Sequence, residues 1–201
     1  MPFSYAHELN RLKPIFKSAE ESFASTIVPN SVNKDLIKLA RQKLLVLLSD
    51  VNQRPNHLRL SFVSTHIRRG DRKTLSYLFP DRSIPIQNYA DAIKLTWRRL
   101  HNDDALPVVY LATDSPEVHQ DFTKLYHGVV FSLFDIDEPH LHALASPREY
   151  YQEQFARMDL QTRITATRGM IVDLAVLSGL WPSENAFKPD AVICALRLTF
   201  C

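Results

Sequence analysis

Residues 65–73, Thr-His-Ile-Arg-Arg-Gly-Asp-Arg-Lys, set four cations, Arg68, Arg69, Arg72 and Lys73, around one carboxylate, Asp71. A guanidinium stays charged at physiological pH and offers a planar fork of donors to paired oxygens, so the pattern suits phosphate. Gly70 lets the loop pass close to a ligand. The same residues also read as a solvated basic turn. Asp114 follows an apolar run and precedes Pro116, the pattern of a helix N-cap. Asp173 sits among apolar neighbours in the middle of a predicted helix, where aspartate is locally disfavoured, so it is either a ligand contact or simply exposed. His140 and His142 lie in an acidic stretch and read as exposed loop residues, not a metal pair. Cys194 and Cys201 are expected to be small buried residues.

The elements that must hold such a loop are legible from periodicity. After residues 52–57, which are turn-like, 58–67 form a β-rich run that ends at the basic loop. Residues 86–100 place Tyr89, Ala92, Ile93, Thr96 and Trp97 on one helical face. Residues 107–113 are a continuously apolar strand of the kind buried on both faces of a parallel sheet. Ser115 or Asp114 caps the next helix, through Tyr126, with Pro116 in its first turn. A strand over 128–134, an irregular insert over 135–149, helices over 149–159 and 162–180, a loop over 181–190 and a final strand over 191–196 follow. Two helices precede this series: an amphipathic one over 4–25, interrupted at Pro14, and one over 31–50. The order implies an α/β fold, a Rossmann-like parallel sheet with helices on both faces, preceded by two helices. It divides into an N-terminal helical extension, 1–57, and the α/β domain, 58–201, with an apolar sheet edge expected at the last strand.

Composition sets the outer limits. A chain of 201 residues with 45% hydrophobic, 23% charged and 10% aromatic residues can bury enough apolar surface to fold. A formal net charge of +2 is too small to point to nucleic acid as a partner. No apolar run approaches the roughly 20 residues that span a bilayer, and residues 1–25 carry Asn, Arg, Lys and Glu where a signal peptide has an apolar core.

Three segments together resemble the α1,6-fucosyltransferase and protein O-fucosyltransferase superfamily. His66-Ile67-Arg68-Arg69-Gly70-Asp71 matches the first motif, His-x-Arg-Arg-(Thr or Gly)-Asp. Residues 109–116, Val-Tyr-Leu-Ala-Thr-Asp-Ser-Pro, are similar to the YLATDDP segment of the α1,6 enzymes. Arg168-Gly169-Met170-Ile171-Val172-Asp173-Leu174, Leu177-Ser178 and Asp190 to Cys194 resemble their RGVxxDxxxLSxxDxxVC, with residues 181–188 inserted. The resemblance implies the donor-binding half of a GT-B glycosyltransferase, a nucleotide-sugar-binding domain that takes GDP-fucose without a metal or other cofactor. It implies Arg68 as the catalytic group on the pyrophosphate. His66 and Asp173 would be substrate-binding through the guanine nucleotide, and Arg69 and Asp71 would set the loop by an Arg–carboxylate pair. The family's partners are the nucleotide sugar and a glycan or protein acceptor, and its compartment is the Golgi or ER lumen.

The chain departs from the pattern in several places. Arg197 and Leu198 stand where the α1,6 enzymes have a serine pair, and Ser76 takes the place of the carboxylate proposed as general base. The last strand reaches the C-terminus where the family has further helices, so the domain reads as C-terminally incomplete, and the 57 residues before the first strand supply two helices where an acceptor-facing domain is expected, so activity is expected only in a fuller protein. A non-catalytic remnant, or a module binding a phosphorylated ligand or an acidic protein, is the alternative expectation.

Overall fold

The computed structural model describes residues 18, 21–52, 61–70, 84–102, 104–181 and 188–194. Of the first predicted helix, α1, the described part is helical over residues 21–26. The order then runs α2 (Ser31–Asn52), β1 (Phe62–Ile67), α3 (Ile86–His101), β2 (Val108–Thr113), α4 (Pro116–Leu125), β3 (Val130–Phe131), α5 (Pro139–His142), α6 (Gln152–Arg157), α7 (Leu160–Ser178) and β4 (Ala191–Cys194). The four strands are all parallel, in the order β3-β2-β1-β4. This is the Rossmann-like α/β architecture expected from the alternating elements. No described helix is long and apolar enough to cross a membrane.

Side chains alternate across a strand. Phe62, Tyr110 and Ala112 therefore join one core with Ile37, Ala40, Leu44 and Leu48 of α2 and Val172, Ala175 and Val176 of α7. Val63, Ile67, Val109 and Leu111 join the other with Tyr89, Ile93 and Trp97 of α3 and Val118 and Phe122 of α4. β4 is an edge strand, and its alternation buries Ala191 and Ile193 while leaving Val192 and Cys194 half-buried. Cys194 is disulfide-bonded, so it is not the small buried residue expected of it.

Several bounds differ from the periodicity reading for local reasons. β3 is two residues long because Ser132 starts a turn: its hydroxyl accepts from the Phe134 N–H at 3.1 Å and donates to Asp135 at 2.6 Å. His119 closes the same turn by meeting Asp135 at 2.9 Å. α7 starts at Leu160 because the Asp159 carboxylate caps it, accepting from the Thr162 N–H at 2.9 Å.

The far end of α7 is closed by a side chain that sequence reasoning does not single out. Arg41 of α2 is 5% exposed, and its guanidinium donates to the carbonyls of Ala175 at 2.9 Å, Leu180 at 2.5 Å and Trp181 at 2.7 Å. Ala175 is one of the last carbonyls of α7, which a helix end leaves without partners, Leu180 and Trp181 follow the helix, and the cation also complements the negative end of the dipole. Burial holds the Arg41 pKa below its ordinary value, a cost offset by the three bonds. Arg41→Met is expected to destabilise the chain by about 3 kcal/mol, since buried carbonyls are left unsatisfied. Urea denaturation checks this.

Candidate functional site

The strand order reverses at β1, and in open α/β sheets the crevice at such a switch lies outside the carboxyl ends of the strands. A cavity of about 220 Å³ lies at the carboxyl ends of β1 and β2, on the α7 side and away from β4. His66 and Asp114 reach it from the ends of β1 and β2, Arg68 from the loop after β1, Asp173 from α7, and Ser146 and Tyr150 from the segment before α6. Its remaining wall is apolar, with Leu133, Phe134, Leu144, Met170 and Leu174. Three of the residues singled out in the sequence, His66, Arg68 and Asp173, thus line one cavity. Arg69 does not line it, and Asp71, Arg72, Lys73, Ser76 and Arg197 lie outside the described residues.

Asp114 is not the helix cap that the sequence suggests. Ser115 caps α4, its hydroxyl accepting from the Val118 N–H at 3.3 Å. The Asp114 carboxylate turns instead across the sheet and accepts from the backbone N–H of Arg69 at 2.8 Å and of Gly70 at 2.9 Å. The reason is register: Ile67 pairs with Thr113, so the next residues of the two strands meet as they leave the sheet. The other Asp114 contact is the Arg68 Nε, 3.9 Å from Oδ2. Gly70 has no room for a side chain, because a Cβ would lie 2.7 Å from Asp114 Oδ2 and closer still to the Tyr150 carbonyl. Asp114→Asn keeps only one acceptor oxygen for two backbone donors and is expected to lower stability by about 2 kcal/mol. A thermal melt reads this loss.

Arg69 turns away from the cavity. Its Nη2 donates to the Ile84 carbonyl at 3.0 Å, and its Nη1 is buried without a hydrogen-bond partner among the described residues. The resemblance gives Arg69 a carboxylate partner in Asp71. Asp71 lies outside the described residues, and among the described residues the loop is held by Asp114. Arg68 is half-exposed at the cavity mouth, its side chain 52% accessible, so its fork of donors is available to an anion.

The floor is different in character. Asp173 accepts a hydrogen bond from the buried Tyr110 phenol at 2.6 Å. Burial pushes its carboxyl up to about 7, against the opposing effect of that hydrogen bond. His66 is held below its ordinary pKa chiefly by burial, with Asp114 raising it and Arg68 lowering it further. The imidazole is therefore neutral at pH 7 and can both donate and accept. A cationic mouth above a floor that accepts N–H donors suits a ligand with an anionic end and a polar, N–H-bearing ring.

Gly169, in the third motif, brings α7 against the cavity wall: a Cβ there would lie 2.5 Å from the Leu144 carbonyl. Tyr110, Ser146 and Tyr150 escape sequence reasoning. For Tyr110 a signal exists, since period-two alternation puts it on the same face as Ala112 and Asp114. A second groove, about 460 Å³, runs beside α3 and β4 between Leu95, Leu100, Val192 and Ile193. It contains none of the predicted site residues. Comparisons with protein-family models, curated proteins and solved structures return no match.

Proposed function

We propose that this chain is a fucosyltransferase-type donor-binding domain that takes GDP-fucose in the cavity at the carboxyl end of β1. The reading is supported by one observation above all: His66 and Arg68, from the first motif, and Asp173, from the third, line the same cavity although a hundred residues of chain separate the two motifs. Arg68 binds the diphosphate. Asp173 accepts from the N–H-bearing edge of guanine, and His66 supports the nucleotide beside it. In a complete protein, fucose passes with inversion to a glycan or protein hydroxyl. The acceptor oxygen bonds to the sugar carbon as the bond to the β-phosphate oxygen breaks. Charge grows on that phosphate oxygen, and the Arg68 guanidinium stabilises it without a metal.

The test is calorimetric titration of GDP and GDP-fucose into the folded chain in EDTA, beside ADP and pyrophosphate. GDP is expected to bind at least about tenfold more tightly than ADP, which lacks the paired N–H donors. Pyrophosphate binding as tightly as GDP would favour a phosphate-ligand module. No binding by a folded sample sinks both.

A further inference from the structure

Beneath the cavity lies a contact that the motifs do not explain. Tyr110 is fully buried on the α7 side of β2, and its phenol engages Oδ1 of Asp173 at 2.6 Å. Among the described residues no other hydrogen bond or ion pair reaches that carboxyl group. The charged and titratable groups that face it are His66 from β1, Arg68 beyond β1, Asp114 beyond β2 and Tyr150 before α6. From α2 comes Arg41, whose guanidinium is committed to the end of α7.

We propose that Tyr110 is a positioning residue for the nucleotide: by holding Oδ1 it leaves Oδ2 as the oxygen that serves the cavity, so a base edge with N–H donors is taken up as that carboxyl group gives up its proton. The inference rests on the nucleotide reading above. On uptake the carboxyl O–H bond breaks, the proton passes to solvent, and Oδ2 accepts the ligand N–H; nothing is oxidised or reduced. Because burial pushes Asp173 up to about 7, the free site is largely protonated at pH 6 and largely ionised at pH 8. GDP affinity is therefore expected to fall about tenfold from pH 8 to pH 6.

Tyr110→Phe removes one oxygen from an apolar setting, and its circular dichroism is expected to match the wild type. Without the phenol's hydrogen bond the ionised carboxylate is less favoured, so the Asp173 midpoint should rise by about one pH unit. Carboxyl ¹³C titration of the ligand-free chain reads that midpoint directly. Titration of GDP in buffers of different ionisation enthalpy counts the released proton, and Asp173→Asn should abolish the release. A GDP pH profile that moves with the carboxyl midpoint in Tyr110→Phe supports the assignment. GDP binding with a profile indifferent to the substitution overturns this inference alone. Absence of GDP binding, with the carboxyl midpoint still moved, overturns the nucleotide reading and this inference with it.

Discussion

Arg68→Ala is expected to weaken GDP binding by about a hundredfold while leaving the melting temperature of the free chain unchanged. The two halves of that expectation come from the same geometry. Arg68 is 52% exposed and its one described polar contact is a long Nε approach to Asp114 at 3.9 Å, so little of the fold depends on it. A pair that loose and that solvated contributes little to stability. Toward a diphosphate the situation reverses, because the guanidinium supplies fixed charge and a bidentate fork where the ligand's negative charge is concentrated. Arg68→Lys should recover only part of the affinity, since an ammonium restores charge without the planar fork. Calorimetry at two ionic strengths checks the series. An alanine variant that binds GDP like the wild type would remove Arg68 from the site.

Asp173→Asn is expected to stabilise the free chain at pH 8 while weakening GDP binding at least about tenfold. The carboxyl group titrates at about 7 in the folded chain against 3.8 unperturbed. Below 3.8 both states hold the proton and the group costs nothing. Between 3.8 and about 7 the unfolded chain releases the proton while the folded chain keeps it, so stability falls as pH rises, and above that window the loss is constant. Discounted for the face of Asp173 that is open to the cavity, the loss is about 2 kcal/mol at pH 8. Asparagine keeps an oxygen for the Tyr110 hydroxyl and has no charge to bury. Its melting temperature should exceed the wild type's by about 6 °C at pH 8, with no gain at pH 4. A residue whose replacement stabilises the fold and weakens binding is one retained for its ligand. A variant less stable than wild type at pH 8 would instead mean that the ionised carboxylate is well partnered in the fold.

Much of this molecule is written along the chain. The continuous apolar run at 108–113, the capping chemistry at Ser115, and the helical face of Tyr89, Ile93 and Trp97 depend on neighbours within one or two turns. Local propensity and burial agree there, so periodicity finds them. The glycine at 70 is likewise visible as a residue that permits close approach, although what approaches it, the Tyr150 carbonyl, is not.

What periodicity misreads depends on neighbours in space. Asp114 has the local signature of an N-cap, and a cap needs only its own helix. A backbone clamp 45 positions away arises because the parallel register of β1 and β2 delivers the Arg69 and Gly70 amides to the Asp114 carboxylate, while Ser115 supplies the cap. Arg41 reads as one more charge on an amphipathic helix, yet the packing of α2 against α7 brings it under carbonyls 134 and more positions away. Asp173 is ambiguous by itself because a mid-helix aspartate is explained equally by solvent or by a ligand. The tertiary structure decides against simple exposure by setting the Tyr110 phenol on one carboxylate oxygen and making Asp173 part of the cavity wall. The sequence by itself determined which elements form and which side chains could bind phosphate or a base. Only the sheet, by aligning strand ends from distant parts of the chain, decided which of those side chains share a cavity, because cross-strand register and helix packing are set by contacts that no local pattern encodes.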